Sequence, residues 1–185
     1  GKIIEIGQIS DVEENTKVID GTGMHLTPGI IDEHSHIALT GVNEGSQSNT
    51  AEVRMNDVVN SEDVNIYRQL AGGVTTAQLL HGSANPVGGQ SAIIKFRWGS
   101  SPEEMLINGA DKYIKFALGE NVKRSRAPSS SRFPDTRMGV EQVFVDAFNK
   151  AKIYENNWKN FSALSKKEKI NAISPRKDLE LEALV

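Results

Sequence analysis

Apolar residues occur along this chain in short β-branched runs and in longer periodic segments, with polar or glycine-containing turns between them. Strand side chains alternate with period two and helix side chains repeat every 3.6 residues, so the two patterns predict different elements. The short runs predict strands over residues 2–6, 17–20, 24–26, 30–36, 74–80, 92–96 and 113–118.

The periodic segments predict helices with recognisable ends. Ser61-Glu62-Asp63 and Gly72-Gly73 delimit a helix over 61–71, and Ser101-Pro102-Glu103-Glu104 forms a capping box. A final helix begins at Ser174-Pro175 and reaches Val185 without a stop signal. The longest helix presents one apolar face, made of Val140, Val143, Phe144, Ala147, Phe148, Ala151, Tyr154 and Trp158. Strands alternating with helices predict parallel βαβ units in an α/β fold.

The strongest chemical signal is the stretch Pro28-Gly29-Ile30-Ile31-Asp32-Glu33-His34-Ser35-His36. Ile30 and Ile31 predict a buried strand, on which Asp32, His34 and His36 would share one face. Two neutral imidazoles on one face can bind a single divalent ion such as zinc. They could also be ordinary polar residues at the end of a strand, but the flanking Pro-Gly, Ile and Asp residues favour the metal site.

Composition excludes several classes of function. The chain has 185 residues, 38% of them hydrophobic, and a net charge of −3, which argues against nucleic acid as the main partner. Residues 1–120 carry −8 and residues 121–185 carry +5, which solvated surfaces explain more simply than an acidic substrate. There is no cysteine for thiolate chemistry. No apolar run is long enough for a membrane span and no signal peptide is visible, although the start at Gly1 leaves export of the parent protein open.

The histidine stretch resembles the motif Pro-Gly-x-x-Asp-x-His-x-His of the amidohydrolase superfamily, and Gly73-Val74-Thr75-Thr76 is similar to the family's second barrel strand. Further similarity to an imidazolonepropionase-related bacterial branch is carried by 80–90, 117–121 and 136–139. The resemblance implies the N-terminal part of a (β/α)8 TIM-type barrel. Residues 1–26 would contribute strands of a small composite β-sandwich, and 27–185 the first part of the barrel. Because such a barrel needs about 250 residues, the chain is expected to be a fragment, incomplete at the C-terminus.

The resemblance also implies a site. His34 and His36 would bind the more buried metal of a centre with one or two divalent ions, with zinc as the expected metal, and Asp32 would support the histidines or anchor the turn. Glu120 would be either a bridging carboxylate ligand or a loop residue. The later ligands and the general base would lie beyond Val185, so no catalytic residue is expected within this fragment.

Three basic residues or groups have two interpretations each. His81 would contact substrate or be a hydrogen-bonded structural histidine. Arg137, in a cluster with Arg124, Arg126 and Arg132, would hold a substrate carboxylate or remain a solvated loop charge. Lys115 is interpreted as a strand-face lysine rather than a carbamylated ligand.

The sequence therefore predicts a fragment of a metal-dependent hydrolase that cleaves a non-peptide C–N bond of the cyclic amide type with metal-activated water. The alternatives are a prolidase-like dipeptidase and a truncated structural or binding module. The expected partners are a small-molecule substrate and the remainder of the parent polypeptide, with a homo-oligomer left open and neither nucleic acid nor membrane expected. Because an incomplete barrel exposes a sheet edge, the isolated chain is expected to be inactive and to associate or misfold.

Overall fold

The computed structural model describes residues 2–8, 12–123 and 131–185. The strands and helices in these ranges are short, except for one helix of 27 residues. The strands are β1 (Ile30–Ser35), β2 (Val74–Leu79), β3 (Val87–Gln90), β4 (Ala92–Lys95) and β5 (Ile114–Phe116). The helices are α1 (Val64–Ala71), α2 (Pro102–Met105), α3 (Arg137–Ala163), α4 (Lys166–Asn171) and α5 (Leu179–Glu182), with 3-10 turns at Met55–Val58 and Glu120–Val122.

The strands form two small sheets. In the first, of order β1-β2-β4, β1 and β2 are parallel with Ile30 opposite Val74, whereas β2 and β4 are antiparallel. In the second, β3 pairs with β5 antiparallel. The predicted parallel βαβ arrangement is therefore seen for β1, α1 and β2. No helix separates β2 from β4, so the chain returns in the opposite direction, as antiparallel pairing allows.

One hydrophobic core lies between the first sheet, α1 and α2. Its fully buried members include Ala77 and Leu79 of β2, Ile94 of β4 and Ile66 of α1. A second core joins β3 to α3 through Val87, Val143 and Ala147. The helical periodicity correctly identified the buried face of α3, since Val140, Val143, Ala147 and Ala151 are all buried. Phe148, in the same predicted stripe, remains half exposed.

The helix ends agree with the sequence in part. The capping box of Ser101 and Glu104 forms at the start of α2. The first helix begins at Val64 rather than at Ser61, because it is the Asp63 side chain that accepts the backbone N–H of Asn65. The predicted final helix is shorter than expected: 172–178 are not helical, and α5 starts only after Asp178 caps it.

The amino-terminal segment differs from its prediction. Residues 2–8 and 12–29 form no strand in this structure, so the strands predicted at 2–6, 17–20 and 24–26 are not observed, because a strand needs a partner and no described residue pairs with this segment. Ile31 of β1 is 67% exposed, so this part of β1 is not buried as predicted. The division of the chain at residue 26 stays a prediction. No helix within the described ranges is both long and apolar enough to cross a membrane.

Candidate functional site

His34 and His36 lie side by side at the carboxyl end of β1. Their ring centroids are 5.1 Å apart and the rings meet edge to face at 82°. Ser35 between them is buried, whereas both histidines are exposed, as the alternation of a strand requires. The two imidazoles therefore share one accessible face, and metal binding by them stays a prediction.

One hydrogen bond fixes the orientation of His36. Its Nδ1 lies 2.9 Å from the carbonyl oxygen of Leu80, the residue that follows β2. A carbonyl only accepts, so Nδ1 carries the proton, and the lone pair of Nε2 is left for a ligand. The backbone N–H of Leu80 in turn donates to the carbonyl of Ser35 at 3.0 Å. The ends of β1 and β2 together thus fix the position of the His36 ring.

Asp32 and Asp63 hold the backbone around the two histidines. Asp32 Oδ1 accepts the backbone N–H of His34 at 3.1 Å, so its contact is with the backbone and not with an imidazole. Asp63 Oδ2 accepts the N–H of Ala38 at 2.7 Å. Ala38 has a φ of 56°, a conformation that disfavours a side chain, so this contact holds a strained residue just beyond His36. Sequence reasoning missed this role of Asp63.

Lys115 lies on β5, and its contact with His34 was not predicted from the sequence. Its Nζ lies 3.4 Å from Nε2 of His34, although β5 belongs to the other sheet. The ammonium donates and the imidazole nitrogen accepts. The only signal in the sequence is the alternation of Ile114, Lys115 and Phe116, which puts the lysine on the opposite face of β5 from its apolar neighbours.

His81, which follows β2 and Leu80, is fully buried. Its Nδ1 lies 2.8 Å from the carbonyl oxygen of Gly82, and the backbone N–H of Glu44 donates to its Nε2 at 2.7 Å. Burial lowers the pKa of His81, and the charges of His36 and Lys115 lower it further, against opposing effects of Gly82 and Glu44. Both ring nitrogens are occupied, which is the arrangement of a structural histidine; a substrate contact by His81 stays a prediction.

Two glycines allow the backbone to approach His81. A Cβ on Gly88 would lie 2.7 Å from the His81 ring, and one on Gly89 would lie 2.6 Å from the side chain of Val53. Both contacts are too short for a side chain to be added without movement. In the structure, Gly88 and Gly89 of β3 therefore allow close packing against His81 and Val53.

Arg132 joins three loops of the chain. Its guanidinium donates to the carbonyl oxygens of Gly45, of Ala84 at 2.8 Å and of Val122 at 3.2 Å. Arg132 thus acts within the protein rather than as a solvated loop charge. Arg124 and Arg126 of the predicted arginine cluster lie outside the described residues.

Glu120 and Arg137 are brought to each other and not to the histidine pair. Arg137 donates to Glu120 Oε1 at 2.9 Å, and Lys123 also pairs with Glu120. These hydrogen bonds, first with Lys123 and then with Arg137, lower the pKa of Glu120. No group of three His, Asp or Glu side chains in the described part of the chain has the geometry to hold a metal ion. The role of Glu120 as a metal ligand and that of Arg137 in holding a substrate carboxylate stay predictions.

Two known proteins that are similar to this chain are amidohydrolases. The amidohydrolase tasK of Hapsidospora irregularis is 34% identical over 160 residues, which is 77% of this chain and 16% of that protein. The crystal structure of an amidohydrolase from Thermotoga maritima MSB8 matches with a TM-score of 0.79 and 36% identity, over 97% of this chain and 46% of that one. Both matches support the amidohydrolase superfamily. No family model matches the chain.

The chain spans less than half the length of either amidohydrolase relative. Both relatives are amidohydrolases by name, which agrees with the superfamily resemblance of the sequence, and a hydrolase activity for this chain stays a prediction. They do not distinguish the imidazolonepropionase-related branch within the superfamily.

The chain has nitrogen donors of a kind that fits a divalent metal. Two imidazoles share one accessible face, and the contact of His36 Nδ1 with Leu80 leaves Nε2 of that ring as the ligand atom. The Lys115 ammonium contacts Nε2 of His34 at 3.4 Å. Nitrogen donors of this type suit zinc and its first-row neighbours.

Proposed function

We propose that this chain is part of a metal-dependent amidohydrolase that hydrolyses a non-peptide C–N bond of the cyclic amide type. The observation that carries the proposal is the pairing of His34 with His36 at the carboxyl end of β1, with the His36 ring oriented by Leu80. In α/β barrels, active sites lie at the carboxyl ends of the strands. The amidohydrolase relatives support the hydrolase class.

We further propose that the fold is part of a (β/α)8 barrel, completed by the remainder of the parent polypeptide. The parallel pair β1 and β2, connected through α1, supports this architecture. The Thermotoga chain is about twice as long as the part that this chain matches. Residues 1–26 would join a small β-sandwich, which would cover exposed apolar residues such as Ile4 and Leu26.

Nε2 of His36 and Nε2 of His34 would hold the metal, with zinc proposed. When bound, such a metal activates a water molecule and polarises the substrate carbonyl. Leu80 keeps the His36 ring in the required tautomer, and Asp32 holds the backbone of His34. Lys115 now donates to His34 Nε2, so the ammonium group must move away before that atom binds a metal. The remaining ligands and the general base would come from the rest of the polypeptide.

A zinc titration of the chain, measured by isothermal titration calorimetry, tests the metal site. We expect His34→Ala and His36→Ala each to weaken binding at least tenfold, because each removes one ligand. His25→Ala is the matched control, since His25 is an exposed histidine outside β1 and should leave the affinity unchanged. Equal zinc affinity in all four proteins would refute the site.

The substrate class is tested with the whole parent polypeptide, in which the proposed barrel would be complete. The zinc-loaded protein would be assayed against cyclic imides, imidazolones and acyl dipeptides. Hydrolysis of a cyclic amide supports the proposal, whereas preferential hydrolysis of acyl dipeptides would show a dipeptidase. Zinc binding without hydrolysis of any of these substrates would favour a binding module.

A further inference from the structure

Residues 178–185, which include α5, dock on the segment 49–52 and on α3. The side-chain amide of Asn49 donates to Glu180 Oε1 at 2.7 Å. Ala183 and Leu184 pack against the core made of Ala51, Val87, Val143 and Ala147. Docking therefore combines an apolar contact with one polar contact that involves a carboxylate.

The docked segment and the segment that receives it each carry an acidic side chain, Glu180 and Glu52. Glu180 is partly buried and is influenced by the charge of Glu52, whose buried Oε2 has no hydrogen-bond donor among the described residues. Two carboxylates in a partly buried contact repel when both are charged, and protonation of one relieves the repulsion. Partial burial of Glu180 thus makes it easier to protonate when the segment is docked than when the segment is free in water.

The charged groups around Glu180 come from three parts of the chain. Burial is the largest effect and raises the pKa of Glu180, and the negative charges of Glu52 and of Asp178 raise it further. Lys150 of α3 and the hydrogen bond from Asn49 act in the opposite direction without cancelling the rise. Glu182 of the same helix is engaged elsewhere, by the Tyr154 hydroxyl and by Lys177.

We propose that residues 178–185 are a proton-sensitive latch, whose docking on residues 49–52 and α3 tightens as the pH falls because docking partly buries the Glu180 carboxylate against the segment that carries Glu52. This inference goes beyond the proposed hydrolase activity and does not depend on it. The docked state has the higher Glu180 pKa, so it binds the proton more tightly than the undocked state. Docking is strongest below the ordinary pKa of a free glutamate and weakens as the pH rises through the raised pKa.

The latch contacts a segment that leads toward the candidate site. The backbone N–H of Thr50 donates to the carbonyl of Val87 at 3.0 Å, and the Asn85 side chain donates to Thr50 Oγ1 at 2.8 Å. The Asn85 side chain also donates to the carbonyl of Glu44, whose N–H contacts His81. Undocking would therefore release a segment that is hydrogen-bonded to the loops around His81.

The test is a pH titration of the whole chain by NMR, with the ¹³Cδ signal of Glu180 reporting protonation and the Ala183 methyl signal reporting docking. We expect Glu180 to titrate above a free glutamate and the docked population of Ala183 to fall over the same pH range. The docking constant should fall tenfold for each pKa unit by which Glu180 exceeds its undocked value. A docked population that stays constant through that titration would overturn the proposal.

Variants separate this device from simple packing. Glu180→Gln keeps an acceptor for Asn49 and should make docking independent of pH, whereas Glu182→Gln, on the same helix, should leave the pH dependence unchanged. If Glu180→Gln fails to fold, Glu52→Gln should move the midpoint to lower pH and Asn49→Ala to higher pH. Shifts in the same direction, or no shift in either variant, would contradict the latch.

Discussion

Replacing Arg132 with methionine tests whether one guanidinium joins the loops around the candidate site. The change keeps an apolar stem of similar length and removes all the donors. Arg132 donates to carbonyls of three separate loops, with the shortest contacts at Gly45 and Ala84 and longer ones at Val122 and Lys123. Methionine can make none of these contacts, so the loops would be joined only by their remaining bonds.

The expected loss follows from the two short contacts. A hydrogen bond that involves a charged group contributes about 1.5 kcal/mol or more to stability, so two of them amount to roughly 3 kcal/mol. The longer contacts to Val122 and Lys123 add little. Arg132→Lys keeps the charge but not the planar fork of donors, so we expect it to lose about half as much.

Urea unfolding measures this loss, and hydrogen exchange locates it. We expect the amides of Glu44 and Gly82, whose N–H groups bond to His81 and Val42, to exchange faster in Arg132→Met. Arg54→Met is the control, because Arg54 is an exposed arginine paired with Asp57 and should cost about 0–1 kcal/mol. A free energy of unfolding for Arg132→Met equal to that of the control would refute the role of Arg132 in joining these loops.

Three further predictions concern the residues around the histidine pair. Lys115→Met should tighten zinc binding in a calorimetric titration, because it removes a positive charge and a competing donor from His34; weaker binding would instead identify Lys115 as a ligand. Gly88→Ala should lower the free energy of unfolding in urea by about 2 kcal/mol, since its Cβ would overlap the His81 ring; a neutral effect would contradict that packing. The pKa of His81 is lowered in the folded protein, so the unfolded state binds more protons below about pH 6.5 and stability to urea should fall as the pH drops from 7 to 5. That loss should be smaller in His81→Gln, and an unchanged pH dependence would show that His81 is not its source.

Local features of the structure were predictable from the sequence because they depend on near neighbours. The apolar face of α3 follows from helical periodicity, and the capping box at Ser101 follows from two side chains three residues apart. The shared face of His34 and His36 follows from strand alternation alone. The amidohydrolase relatives agree with the family that this local motif indicated.

Contacts between distant parts of the chain could not be predicted in this way. Glu120 and Arg137 were separate site candidates, yet they form an ion pair with each other. The amino-terminal runs near Ile4 and Leu26 have the composition of strands but find no partner in the described structure. Strand composition reports a preference for extended backbone, whereas a strand forms only where another backbone supplies hydrogen bonds.

The sequence by itself determined the pair of histidines on one face of β1, since a strand fixes the direction of alternate side chains without any outside contact. Only the tertiary structure decided what surrounds that pair. It placed Leu80 on His36 and Lys115 on His34, over separations of 44 and 81 residues. Such contacts depend on how β1, β2 and β5 pack together, and the periodicity of one segment carries no information about the segment that packs against it.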